Sequence, residues 1–161
     1  MVGFSGFTSG STKTYKNRAY GISLEYPREW KKKEGDKGVI VMFLAPKDAG
    51  SSMFQPNLNI TVQELSGTET DLDQYVQSMT EKEKEIIPSY RLDTIEAAEL
   101  AGQPARRIVF ASKQGYVNLK VVQLCTLLGT RAYALTFAAE ENGFDELWPA
   151  AEGMIGSFAV S

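Results

Sequence analysis

Residues 105–139 read ARRIVFASKQGYVNLKVVQLCTLLGTRAYALTFAA, and this stretch decides the fold. Ile108 and Phe110 alternate with Val109 and Ala111. Val117, Leu119 and Val121 share one face of a second segment, and Val122, Leu124 and Leu128 take the other. Tyr133, Leu135 and Phe137 stand opposite Ala132, Ala134, Thr136 and Ala138. A period of two marks extended strands. Gln114-Gly115 and Gly129-Thr130 are turn signals, so the connections are only a few residues long. Such connections force antiparallel neighbours, because a parallel return needs a crossover of about a dozen residues. The stretch therefore predicts a meander. Residues 90–100, joined through the turn Ala101-Gly102-Gln103-Pro104, add another strand, weakened by Ala97 and Ala98.

Working outward, Ile22, Leu24 and Tyr26 alternate in a half-buried strand that Pro27 ends, since proline cannot donate to the ladder. Residues 39–44, VIVMFL, are continuously apolar, as a strand covered on both faces would be. Residues 46–56 read as a loop. Leu58, Ile60 and Val62 alternate with Asn57, Asn59, Thr61 and Gln63, giving a strand with one polar face. Thr70-x-x-Asp73 predicts a capping box with Thr70 as the N-cap. Leu72, Tyr75, Val76, Met79, Glu83 and Ile86 then follow at helical spacing and stop before Pro88. Phe144, Leu147, Trp148, Ala151, Ile155 and Phe158 mark a closing helix, which must start near Asp145 to keep Pro149 in its first turn. Apolar runs at 39–44 and 117–128 call for cover on both sheet faces, and two helices are available. The predicted fold is α+β: an α/β/α sandwich with a mostly antiparallel central sheet of six to seven strands and a helix on each face.

The 161 residues suit one domain. A content of 43% hydrophobic and 23% charged residues is that of a globular chain and argues against disorder. Cys125 is the lone cysteine, so neither an internal disulfide nor a cysteine-based zinc site can form. There is no histidine. That removes Ser-His-Asp and Cys-His nucleophiles, the commonest general base and most transition-metal sites. No nucleophile elbow, phosphate-binding P-loop or dinucleotide fingerprint occurs. The expectation is no enzyme, no cofactor and no metal.

The net charge of −3 does not ask for nucleic acid. The charge is uneven. Residues 1–50 hold nine Lys/Arg against five Asp/Glu, a net of +4, and the remainder holds eight against fifteen, a net of −7. Such polarity orients encounters with a charged partner. No apolar run reaches the roughly 18 residues of a membrane span, and the start lacks the layout of a signal peptide. Residues 3–12 are rich in Gly, Ser and Thr and read as a flexible tether over 1–14, ahead of a single domain over 15–161. A stalk left after removal of a signal or lipid anchor would put the domain outside the cytoplasm, with peripheral or lipid-tethered membrane association.

Several groups carry a functional and a plainer reading. Lys31, Lys32, Lys33 and Lys37 beside Trp30 form a basic patch for an acidic partner or an anionic membrane, or else a solvated loop. Trp30 is an interface hot spot or a packed anchor. Phe54, in a Gly/Ser loop, is the candidate exposed aromatic. Trp30, Lys31, Lys32, Lys33 and Phe54 are thus the candidate partner-binding residues. Tyr15, Tyr20, Tyr26 and Trp30 at one end suggest, alternatively, a small-molecule or ion pocket between sheet and helix. Glu64, Glu96 and Glu99 are the candidates for a carboxylate-only hydrolase, the third reading. Glu140, Glu141, Asn142, Asp145 and Glu146 offer oxygen ligands for a weak Ca²⁺ site, or simply acid at a helix start. Cys125, among Val121, Val122, Leu124 and Leu127, reads as a buried structural thiol. Asn59-Ile60-Thr61 matches a glycosylation sequon but lies inside a strand. Arg106 and Arg107 are expected to pair with acid from 64–99.

Residues 20–30, YGISLEYPREW, resemble the opening signature of the PsbP family, an aromatic-Gly strand running into Tyr-Pro-x-x-Trp. Further matches follow in order: the Asn-rich strand at 57–62, the helix start at 70–75, the hairpin at 100–105 and the closing helix at 144–158. The resemblance spans 15–160. It implies the same α/β/α sandwich and a noncatalytic protein. PsbP is an extrinsic lumenal subunit of photosystem II, DcrB-type members of the superfamily are envelope lipoproteins, and Mog-type members bind the Ran GTPase. The histidines linked to metal binding and photosystem contacts in plant PsbP have no counterpart here, so that role does not carry over. The resemblance points to a prokaryotic PsbP-like or DcrB-like envelope protein, a monomer that docks a protein partner from an extracytoplasmic position of periplasmic, cell-envelope or thylakoid-lumen type.

Overall fold

The computed structural model describes residues 11–36, 38–46, 54–65 and 70–161. The first ten residues of the expected tether, Lys37, and residues 47–53 of the expected loop lie outside the described residues. In chain order the elements are β1 (Thr12–Asn17), β2 (Ile22–Pro27), β3 (Lys31–Glu34), β4 (Val39–Leu44), β5 (Asn57–Glu64), α1 (Leu72–Ile86), β6 (Arg91–Leu100), β7 (Gln103–Gln114), β8 (Val117–Leu128), β9 (Arg131–Glu140), a 3-10 turn (Glu141–Gly143), α2 (Phe144–Ser157) and β10 (Ala159–Val160).

The meander forms as its turns require. Ala101 and Gly102 sit at φ +53 and +75 between β6 and β7, the paired positive values of a two-residue hairpin turn whose twist matches its strands. Gly115 and Gly129 open the next two hairpins at φ +63 and +62. β6, β7, β8 and β9 are therefore consecutive antiparallel neighbours, and β5, β4 and β3 continue the sheet from β9 in the order β3-β4-β5-β9-β8-β7-β6. All of these pairs are antiparallel.

A second sheet was not foreseen. β2 pairs with β1 on one side and with β10 on the other, all antiparallel. Thr12, Lys13 and Thr14, expected in the tether, are strand residues opposite Pro27, Tyr26 and Glu25. Gly21 makes the closure possible: it holds φ +67, and a Cβ there would sit 2.8 Å from the Ser161 carbonyl oxygen. The Ser161 N–H in turn donates to the Gly21 carbonyl at 2.7 Å.

The two faces of the large sheet are covered separately. On one, β2 and α2 bury Leu24, Tyr26, Phe144, Ala151, Met154 and Phe158 against Phe43, Leu58, Ile60, Leu135 and Phe137. On the other, α1 lays Leu72, Tyr75, Val76 and Met79 over Ile108, Phe110, Val121, Cys125 and Ala134. The small residues of β9 serve the purpose expected of them, since Ala134 and Ala138 lie in the α1 layer. Two local expectations shift. The N-cap of α1 is Asp71, not Thr70: its carboxylate accepts from the Gln74 N–H at 2.8 Å while the Gln74 side chain accepts from the Asp71 N–H. α2 starts at Phe144, one residue before the expected Asp145, and Pro149 lies inside it.

Candidate functional site

The basic run Lys31–Lys33 is an edge strand rather than a loop. β3 pairs with β4 alone, opposite Leu44, Phe43 and Met42, and all four of its residues are exposed. Lys32 leans toward the small sheet, with its Nζ 5.6 Å from the Tyr15 ring centre and 4.0 Å from Glu34 Oε2. By alternation Lys31 and Lys33 point to the other side. A row of lysines along an unpaired edge also discourages strand-to-strand association, so it has a structural use apart from any partner.

Trp30 does not share that surface. It is 5% exposed, with its ring 6.3 Å from Phe137 and its backbone N–H bonded to the Pro27 carbonyl at 3.0 Å. Its proposed partner contact is thereby corrected: the indole is a packed anchor that fixes the entry into β3. Phe54 is half-buried. Among the described residues the fully exposed aromatic is Tyr116, at the tip of the β7–β8 hairpin. Its signal was present in the sequence, because a side chain in a two-residue turn has no core to enter.

The aromatic end packs into the core. Tyr15 and Tyr26 meet Phe43 at ring distances of 5.7 and 4.7 Å, and both tyrosines are buried. Tyr20 lies under the Arg131 guanidinium, 5.4 Å from its ring centre. The three carboxylates of the hydrolase reading do not converge. Glu64 is on β5 and Glu96 on β6, with β9, β8 and β7 between them. At about 4.8 Å per strand they stand roughly 19 Å apart, whereas a glycosidase pair needs about 5–10 Å. Glu96 and Glu99 fall on opposite faces of β6. Glu64 is held below the ordinary carboxylate range by its hydrogen bond from Arg131, with a further one from Thr130.

Among the described residues no three Asp, Glu or Cys side chains gather as metal ligands. Of the acidic group near Gly143, Asp145 and Glu146 occupy the first turn of α2, where the helix dipole favours them. Asn59 is a half-buried strand residue, paired with Met42 and Thr136. Arg106 bonds Asp73 of α1 at 2.9 Å, as expected of acid from 64–99, whereas Arg107 instead lies 5.7 Å over the Trp148 ring.

A polar cluster under α1 escaped the sequence reading. Gln123, 5% exposed, donates to Glu83 Oε2 at 2.6 Å and reaches Thr136 Oγ1 at 3.4 Å. Glu83 Oε1, Gln123 Oε1 and the Tyr90 hydroxyl are buried without a hydrogen-bond partner among the described residues. Burial pushes the Glu83 carboxyl above its ordinary value, and the Gln123 amide pulls it partway back. Cys125 is fully buried with its Sγ 3.9 Å from Met79 Sδ. Burial, then the charge of Glu83, pushes its thiol up to about 12, which leaves no reactive thiolate at neutral pH. Beside this cluster a cleft of about 300 Å³ opens between Gln63 and the α1 residues Tyr75, Met79 and Glu83.

Fold and site together define an antiparallel α/β/α sandwich whose chemically capable side chains are dispersed or buried. The chain matches the profile of the PsbP-like proteins over residues 5–160 and belongs to that family. No curated protein sequence matches it. Among solved structures, LpqN of Mycobacterium tuberculosis, involved in cell envelope biogenesis, aligns with a TM-score of 0.72 at 14% identity, over 95% of this chain and 87% of that one. The cyanobacterial PsbP (CyanoP) of Synechocystis sp. PCC 6803 aligns at 0.70 and 16% identity, over 97% and 96%. PA94 of Pseudomonas aeruginosa, a protein of unknown function and putative regulator, aligns at 0.61 and 17%, over 89% and 92%. At these identities the likeness is one of fold. No helix among the described residues is long and apolar enough to cross a membrane.

Proposed function

We propose that this PsbP-like protein is a noncatalytic binding or assembly module, held outside the cytoplasm, that docks an acidic protein partner through the edge formed by Lys31, Lys32 and Lys33. The observation that carries this reading is the exposure of all three lysines on one short edge strand. The net charge of +4 over residues 1–50 supports it, because a field of one sign steers an oppositely charged surface. The extracytoplasmic setting is supported by the family resemblance and by the part LpqN plays in cell envelope biogenesis. Phe54, half-buried and within the 46–56 stretch, is a candidate apolar contact at the rim.

The test is affinity capture from the envelope fraction of the source cells, with wild type and with Lys31→Glu/Lys32→Glu/Lys33→Glu side by side. A partner held by wild type at low salt, released by high salt and lost in the triple variant is the expected result. Equal recovery by both baits would remove β3 from the interface. The alternative, a small-molecule or ion site between sheet and helix, is supported at one place, the cleft between Gln63 and α1. A ligand panel that raises Tm in wild type and not in Tyr75→Ala would favour it, since specific binding stabilises by mass action.

A further inference from the structure

We infer that the large sheet docks end to end on a second copy of this chain, the basic edge strand β3 of one copy joining the acidic edge strand β6 of the next. The inference rests on the reading of β3 as a docking edge and names its partner. β3 and β6 are the two ends of the seven-stranded sheet, so each leaves backbone N–H and C=O groups open along one side among the described residues. β3 carries Lys31, Lys32 and Lys33 against Glu34, a net of +2, and all four are exposed. β6 carries Asp93, Glu96 and Glu99 against Arg91, a net of −2, and these four are exposed as well.

β6 is also the strand that α1 leaves bare. Register places Leu92 across from Phe110 and Ile95 across from Ile108, on the face where α1 covers Phe110 and Ile108. Leu92 is nevertheless 46% and Ile95 43% exposed, an apolar fringe beyond the helix. The acids of β6 form no ion pair among the described residues. Arg107 stands across from Glu96 but turns its guanidinium over the Trp148 ring. Three edge contacts between copies are open to such a sheet. β3 on β3 sets lysines against lysines, β6 on β6 sets acids against acids, and like charges directly opposite are unfavourable. Only β3 on β6 brings opposite charges together, so the lysine row that repels its own kind selects this edge.

Strand sense and faces agree with that contact. Every neighbouring pair in the sheet is antiparallel, so its first and seventh strands, β3 and β6, run the same way. A following copy in the same orientation lays its β3 parallel to β6. Lys33 pairs with Met42, Met42 with Asn59 and Asn59 with Thr136, which puts Lys33 and, by alternation, Lys31 on the α1 face. The aliphatic stem of Lys31 then covers Ile95 while Lys33 reaches Glu99, and Lys32 meets Glu96 on the other face. A four-residue strand makes a small contact, weak and salt-sensitive. Because the two edges differ, each copy in a pair keeps one edge free, and the assembly grows as a chain.

The full chain is followed by sedimentation from micromolar to millimolar concentration. The expected result is a weight-average mass that rises with concentration at low salt and returns to that of one chain in about 1 M salt, where charges are screened beyond about 3 Å. Lys31→Glu/Lys32→Glu/Lys33→Glu and Asp93→Lys/Glu96→Lys/Glu99→Lys each stay monomeric. Their equimolar mixture associates again, because each reversed edge matches the other's. Hydrogen exchange over residues 93–99 slows in the associated wild type. A wild type that stays monomeric, a mixture that does not recover, or association without slowed exchange overturns the contact. So does equal loss in the charge control Glu81→Lys/Glu85→Lys, on exposed positions of α1. A monomeric wild type whose captured envelope partner is still lost in the lysine variant overturns this contact alone and leaves β3 as the docking edge for a different acidic protein.

Discussion

On the α2 side of the large sheet, Phe43, Leu58, Ile60, Leu135 and Phe137 are fully buried, and Trp30, Phe144 and Trp148 ring Phe137 at 5.4–6.3 Å. On the α1 side the same strands present Asn57, Asn59, Thr61, Gln123 and Thr136. Only Val76 of α1 is fully withdrawn from solvent. One face excludes water with aromatic and branched side chains. The other tolerates a buried amide and a carboxyl whose remaining acceptors are unmet. Hydrophobic burial is the main stabilising term, so the α2 face holds the fold together and the α1 face is where the structure can change at low cost.

That asymmetry has measurable consequences. Phe137→Ala, at the centre of the aromatic cluster, should cost about 3–5 kcal/mol in denaturant unfolding; a loss below about 1 kcal/mol would mean the cluster does not hold the α2 layer. Val76→Ala, the corresponding deletion under α1, should cost about 2 kcal/mol. If it matched Phe137→Ala, the two faces would be equal partners. Asp71→Ala removes the N-cap and should cost about 1 kcal/mol, read most directly as faster hydrogen exchange in the first turn of α1.

The smallest effect is a slope. Because burial raises the Glu83 carboxyl above its ordinary value of 4.5, the folded state binds this proton more tightly than the unfolded state. Stability from Glu83 is therefore full below 4.5 and falls as pH rises from there through the raised folded value. Tm followed over that window should decline more steeply in wild type than in Glu83→Gln. Parallel profiles would show that Glu83 titrates as an ordinary surface acid.

Much of this was written locally. The meander of β6 to β9 follows from alternation and from glycine-marked turns, and the α1 stripe from its spacing. Cys125 was recognisable as buried because Val121, Val122, Leu124, Leu127 and Leu128 surround it in the same strand. The functional candidates were less legible. Lys31–Lys33 looked like a loop because no apolar alternation marks a short edge strand, whose side chains are solvated whichever way they point. Trp30 looked available because one tryptophan beside three lysines carries no sign of the distant Phe137 ring. Glu83 was placed on the apolar stripe of α1, but its partner Gln123 lies 40 residues away.

Side-chain period and turn chemistry act over a few residues, so they decided the strands, the helices, the antiparallel sense of the meander and the lack of histidine or thiolate chemistry. Contacts between remote segments decided the rest. The pairing of β10 with β2, the choice of β3 and β6 as the two sheet edges and the closure of the aromatic end into core all depend on which surfaces bury the most apolar area once the chain has folded back on itself. No local pattern encodes that global competition.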